Sequence, residues 1–218
     1  MDIVEEIKFP GTNRDWVIKV LIGGILNIIP IVNLLSSGYN LKVMKNGIEG
    51  KSEMPEWGDW GNLFVRGLIA FIISLVYLLI PIIVLLISLG GIVFAVLSAA
   101  LSGDMSMAIG AISGAIGGIL ISLVLMLILG FLIPMALGMY IKEDNISAAF
   151  RITEVLSRIK SVFGDYLTAY IVLMVLWFVL SLFSAVPILG IFIMIFGGFY
   201  TAVVGANMFG QVYAKSTI

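Results

Sequence analysis

The chain has 218 residues, of which 61% are apolar and only 11% charged, with a net charge of −1 and a mean hydropathy of +1.18. A soluble domain needs about 25% charged residues to cover its surface, so a soluble enzyme, a nucleic-acid binder and a disordered tail are excluded. His and Cys are both absent, which removes imidazole and thiolate metal sites, Ser-His-Asp and Cys-His nucleophiles, and disulfides.

Residues 1–15 form a polar N-terminal segment. It opens Met1-Asp2-Ile3-Val4-Glu5-Glu6, acidic and without a basic n-region, which predicts no cleaved signal peptide. Four charge-free stretches follow, 20–41, 67–103, 105–141 and 166–214. A membrane-crossing helix needs about 20 apolar residues. The runs are continuously apolar rather than alternating, which favours helices over a barrel. The expected fold is an all-α polytopic bundle of about six spans, with five to seven allowed. The spans are drawn at 17–40, 61–80, 82–102, 106–141, 165–185 and 188–213.

The first span carries Trp16 at its start and the amides Asn27 and Asn33 around Pro30. The loop 42–66 holds Trp57 and Trp60 among Glu49, Glu53, Glu56 and Asp59. Tryptophans here, with Trp16, read as interface anchors. The carboxylates read as a solvated face, and no metal or other cofactor is expected. Small residues recur every four positions at Ser102, Ser106, Gly110, Gly114, Gly118 and Ser122, and again at Gly198, Ala202, Ala206 and Gly210. Such ladders let helix backbones approach closely in lipid. They serve packing inside one protein, or an oligomer or pore-lining face. Residues 146–163 place Ile152, Val155, Leu156, Ile159, Val162 and Phe163 on one helical face and Arg151, Glu154, Arg158 and Ser161 on the other, with Asn145 as N-cap. This reads as an amphipathic helix at the headgroup level, or as a helix packed on its own protein. Arg151, Arg158 and Lys160 would face an anionic leaflet.

Four prolines, Pro30, Pro81, Pro134 and Pro187, sit in similar apolar contexts at spacings of 51, 53 and 53 residues. Trp57-Gly58-Asp59-Trp60 precedes Pro81 as Phe163-Gly164-Asp165-Tyr166 precedes Pro187, with 22 residues from Asp to Pro in each case. Two tandem halves of one membrane domain are therefore expected, 16–104 and 105–218, inverted if each has three spans. Charge bias disagrees. Six spans put eight Lys and Arg on one side and four on the other, whereas a hairpin at Pro30 with 67–102 as one span puts all 12 on one side. Repeat and span length favour six.

The run Phe9-Pro10, Asp15-Trp16, Leu21-Ile22-Gly23-Gly24, Pro30, Gly38-Tyr39, Met54-Pro55-Glu56-Trp57-Gly58-Asp59-Trp60-Gly61, Leu63-Phe64, Gly67, Tyr77 and Pro81 resembles the prokaryotic, mostly archaeal membrane-protein family numbered 4013 among the domains of unknown function. Met54 stands where Leu is the expected residue. The resemblance implies an integral protein of the plasma membrane. It carries no activity and no assigned site residue.

No ionisable side chain lies inside the spans except Asp104 at a boundary, which argues against a proton-coupled pump. The functional expectation is a non-enzymatic membrane scaffold or complex subunit. The alternative is a channel or passive transporter on an inverted repeat, with a polar path through Asn27, Asn33, Asn207 and Gln211. An intramembrane enzyme is the weakest reading. Expected partners are the lipid bilayer, anionic headgroups, and a second copy or a membrane-complex subunit, with no nucleic acid.

Overall fold

The structure is a computed structural model. It describes residues 2–217 except Ser52, Asp104, Ala185 and Pro187, and leaves aside the side chains of Met105, Met107, Ala108 and Ala111. The described residues are helical, with no strand. The helices are α1 (Ile3–Lys8), α2 (Trp16–Ile28), α3 (Asn33–Ile48), α4 (Trp60–Ser102), α5 (Met105–Glu143), α6 (Ile152–Ser161), α7 (Phe163–Phe183) and α8 (Leu189–Lys215). Short 3-10 turns cover Phe9–Thr12 and Ile146–Phe150. The chain divides into two compact units, Met1–Ile72 with Pro134–Ile218, and Ile73–Ile133.

Among the described residues four helices are long and apolar enough to cross a membrane: α4, α5 from Ile112, α7 and α8. The six expected spans are corrected accordingly. Segments 61–80 and 82–102 are one helix of 43 residues with Pro81 inside it. Ending a helix in lipid strips partners from four carbonyls and from four amides of the next helix, whereas an internal proline frees one carbonyl. The single helix costs less. Pro134 is likewise internal to α5.

The expected span 17–40 is not a span either. α2 has 13 residues, a contour of about 20 Å against a hydrocarbon core of about 30 Å. It stops because Pro30 drives Ile29 into extended backbone, with ψ 117°. Ile31 then takes φ 71° and turns the chain into α3. Ile188, next after Pro187 in sequence, takes φ 63° ahead of α8. Pro187 itself, and the expected boundary residue Asp104, lie outside the described residues. A β-branched residue at positive φ costs about 1–3 kcal/mol, and both isoleucines are exposed at these turns.

In the first unit α3 is packed against α8, α2 lies on both, and α7 packs on α8. Close approach depends on glycine. A Cβ at Gly38 would stand 1.9 Å from the Leu63 carbonyl oxygen, and one at Gly67 would stand 1.8 Å from that of Leu34. α3 and α4 therefore cross backbone to backbone. α3 meets α8 the same way, since a Cβ at Gly210 would lie 2.3 Å from the Met44 carbonyl oxygen. Tyr39, Val43, Phe199, Val203, Val204 and Met208 fill the core between these helices. The Ser36 hydroxyl donates to the Gly23 carbonyl at 2.9 Å and fastens α2 to α3.

The polar segments of this unit meet at one end. Lys19 pairs with Glu56 at 2.5 Å, Arg66 with Asp144 at 3.0 Å, and Lys215 with Asp165 at 2.8 Å. One cleft is lined by Gly47, Lys51 and Lys215, and a second by Ile48, Lys142 and Arg158. Lys51 and Arg158 thus belong to the same end, the arrangement in which every cation lies on one side. Single Cys residues replacing Lys51 and Arg158, probed in intact cells with an impermeant thiol reagent, are expected to label identically. Opposite labelling refutes this end-on grouping.

Glycine substitutions give a second check. Gly67→Ala is expected to lower the thermal midpoint in detergent, by the roughly 1–3 kcal/mol of an overpacked contact. Gly90→Ala on the same helix, with nothing within 4 Å of the added carbon, is expected to be neutral or stabilising by about 0.5–1 kcal/mol. Equal losses at both positions contradict the crossing.

Candidate functional site

The polar end is built on Tyr39. The Tyr39 hydroxyl donates to the Pro55 carbonyl at 2.8 Å. Its ring stacks on Trp57 at 4.1 Å and 15°. Trp57 stacks in turn on Trp60 at 5.6 Å, and Phe199 closes the cluster from α8. Burial, then the charge of Glu56, push the Tyr39 hydroxyl well above the ordinary phenol range, so it stays a donor. The loop is also stitched to α2. Buried Lys19 donates to the Met54 carbonyl at 3.0 Å, and the Trp57 indole N–H donates to the Lys19 carbonyl at 3.1 Å. Asn13 accepts from the Met54 amide at 2.9 Å. The Gly-Tyr and Pro-Glu-Trp landmarks are thus two halves of one contact. Gly38 lets α4 approach, and Tyr39 receives the loop that leads into it.

The expected interface anchors fall out differently. Trp57 sits inside the stack, Trp16 lies half-buried with its ring edge-on to Tyr200 at 5.9 Å, and Trp60 is 46% exposed. The expected helix 146–163 is shorter, because the backbone breaks at Arg151, with ψ 72°. Asn145 caps the 3-10 turn before it, accepting from the Ser147 amide. Val155 and Ile159 are buried while Ile152 and Leu156 are exposed. Arg151 pairs with Glu143, and with Glu154 at 2.7 Å. Arg158 pairs with Glu154 at 3.3 Å, donates to Ser216 and lies 4.9 Å over the Tyr213 ring. Lys160 is exposed.

The first small-residue ladder is engaged at one end. Ser122 donates to the Pro81 carbonyl at 2.6 Å, and a Cβ at Gly118 would strike the Ser88 side chain. Gly110 and Gly114 have nothing within 4 Å, and Ser102 and Ser106 are exposed. The second ladder is spent internally. Gly198 faces Trp177, Gly210 faces α3, Ala206 is buried, and Ala202 is half-buried.

The four amides of the expected polar path do not come together. Asn33 begins α3, Asn27 is exposed near the end of α2, and Asn207 lies against Gly47. Asn33 and Gly47 are about 21 Å apart along the helix. Asn207 and Gln211 instead meet a residue that sequence reasoning passed over, Glu6. The Asn207 amide donates to the Glu6 carboxylate at 2.8 Å. These three, with Glu5, Lys8, Phe9 and Thr12, line a cleft of about 400 Å³. No sequence signal marked Glu6, because its partners lie some 200 positions away. A second cleft, of about 370 Å³, is lined by Lys42, Lys45, Lys51 and Arg66 with Glu49, Asp59 and Asn62. Among the described residues no group of three or more acidic side chains is placed to hold a metal ion.

Burial raises the Glu6 pKa, while hydrogen bonds from Asn207 and Gln211 and the charges of Lys215 and the N-terminus pull it down by less. An acid raised in the folded state stays protonated after the unfolded one has ionised. Its docking is therefore strongest below 4.5, the value of an unperturbed glutamate, and weakens as pH rises through the folded pKa. Amide exchange over residues 3–12, corrected for intrinsic rate, is expected to show less protection at pH 7.5 than at pH 4, which lies below the unperturbed glutamate value of 4.5. Glu6→Gln is expected to erase the difference. An unchanged difference in that variant removes Glu6 as its cause.

No curated protein matches this chain, and no solved structure does. Residues 22–189 match a family described as a protein of unknown function, DUF4013. The match takes in α3, the tryptophan loop, α4 to α7 and the Gly-Tyr and Pro-Glu-Trp landmarks. With more than three quarters of its length matched, the chain, a multi-pass membrane protein by its four candidate spans, belongs to the DUF4013 family.

Proposed function

We propose that the protein is a non-enzymatic membrane scaffold or a subunit of a membrane complex, seated in the plasma membrane. The observation that carries this reading is the half-used ladder on α5. Gly118 and Ser122 are taken up by α4, while Gly110 and Gly114 on the same face are open. An open glycine face gains little from lipid tails and more from a helix that approaches closely. Around it the unit 73–133 exposes Phe94, Leu101 and Leu127. The partner is then an apolar transmembrane helix, from a second copy or another subunit. α6 and Trp60 lie at the headgroup level in this reading. The similar proline contexts support an internal repeat behind the frame. The separation of Asn27 from Asn207 weighs against a continuous polar path.

The test is a Gly110→Leu/Gly114→Leu double variant, compared with the parent protein after mild solubilisation of native membranes. The reading expects a discrete larger assembly that the double variant loses, with the thermal midpoint unchanged, and no flux from the purified protein in liposomes. Ion or solute flux that Asn207→Leu abolishes would overturn it in favour of a channel.

A further inference from the structure

The cations that sequence analysis assigned to an anionic leaflet are largely consumed inside the protein. Arg151 pairs with Glu143 and Glu154, and Arg158 pairs with Glu154. The cleft beside α3 differs. Four cations line it, Lys42, Lys45, Lys51 and Arg66, against two acids, Glu49 and Asp59. Glu49 is held by Lys51 at 2.6 Å, and Asp59 accepts from the Asn62 amide at 3.1 Å. Lys42 donates to a neutral acceptor, the Glu56 carbonyl, at 3.3 Å. Neither Lys42 nor Lys45 takes part in an ion pair among the described residues.

Arg66 adds a second, independent feature. Its Nε donates to Asn62 at 2.8 Å and its Nη2 pairs with Asp144 at 3.0 Å. Its Nη1 is buried and has no hydrogen-bond partner. A buried guanidinium donor without an acceptor is costly, and the residue that carries it lines the cleft. The depth of the cleft also fits. Arg66 immediately precedes the charge-free stretch 67–103, and Ile141, also in the lining, closes the stretch 105–141. Both apolar runs therefore stop at this level, where a bilayer places its phosphates. Basic pockets between helices at that depth are anionic headgroup sites.

We propose that the cleft of Lys42, Lys45, Lys51 and Arg66 binds a phosphate group, carried by an anionic phospholipid or free in solution. The site stands whether or not the α4–α5 segment holds a partner helix. The full-length protein in neutral detergent is offered two probes. Native mass spectrometry counts phosphatidylglycerol or phosphatidylcholine taken from mixed micelles, and equilibrium dialysis follows radiolabelled inorganic phosphate. One saturable phosphatidylglycerol site is expected, weakened about fivefold by Lys45→Gln and further by Lys42→Gln/Lys45→Gln. Arg14→Gln/Lys160→Gln, removing two exposed cations elsewhere, is expected to leave it intact. Saturable inorganic phosphate binding lost in the same variants identifies a soluble source instead. The proposal is overturned if phosphatidylglycerol binds no better than phosphatidylcholine and phosphate does not saturate. Equal weakening by the control pair also overturns it. Lys45 is half-buried and free of ion pairs, so its variant keeps the test open if Arg66→Gln, which leaves Asp144 alone, fails to fold.

Discussion

Hydrocarbon offers a freed carbonyl no water, and most of this molecule follows from that constraint. It keeps α4 and α5 continuous through Pro81 and Pro134, because a kink sacrifices less hydrogen bonding than two helix ends. It also gathers charge. Among the described residues, Lys, Arg, Asp and Glu stand outside the charge-free runs, and the ion pairs of the first unit tie the polar segments together at one end. Two isoleucines take positive φ, each following a proline in sequence, at the exposed junctions before α3 and α8.

The first unit solves a second problem, how to bury a polar helix. α3 carries Asn33, Ser36, Ser37, Asn40, Lys42, Lys45 and Asn46 in 16 residues, too polar to cross a bilayer alone. It is enclosed by α2, α4 and α8 instead, and three glycines, Gly38, Gly67 and Gly210, set the distances. Contact at that range replaces the hydrophobic drive that lipid cannot supply between helices. Ser36 bonds a backbone carbonyl across the interface rather than water. Tyr39 then projects from the enclosed helix to hold the tryptophan loop through Pro55 and Trp57. The loop is fixed by the same helix whose lysines line the basic cleft.

Charge was read in bulk from the sequence, yet its use differs by place. The arginines around α6 meet Glu143, Glu154 and the Tyr213 ring, so their charge stabilises the fold. Of the lysines on α3, Lys42 meets the Glu56 carbonyl, and both Lys42 and Lys45 line a cleft without an ion pair among the described residues. Equal counts of cations in the loops 42–66 and 142–165 therefore serve different ends. The separation is a matter of which carboxylates fold within reach.

Composition by itself determined the membrane class, the helical architecture and the location of charge, because each depends on local hydropathy summed over a span. The family landmarks were also legible, since Gly38-Tyr39 and Pro55-Glu56-Trp57 are contiguous in sequence. The span count was not. The proline spacing that suggested a repeat of three spans says nothing about whether a given proline ends a helix or is absorbed by it. That depends on what packs around the helix, and contacts such as the Ser122 hydroxyl on the Pro81 carbonyl, 41 residues away, form only when the chain folds. Only tertiary structure joined Glu6 to Asn207 across 201 residues, and separated Asn27 and Asn33 from them. Of the apolar face drawn over 146–163, Val155 and Ile159 are buried while Ile152, Leu156 and Phe163 are exposed. The pattern was silent on Glu143 and the Tyr213 ring that also claim its arginines, because those two come from other elements. Periodicity records which face of a helix is apolar; what meets that face is decided when the chain folds back on itself.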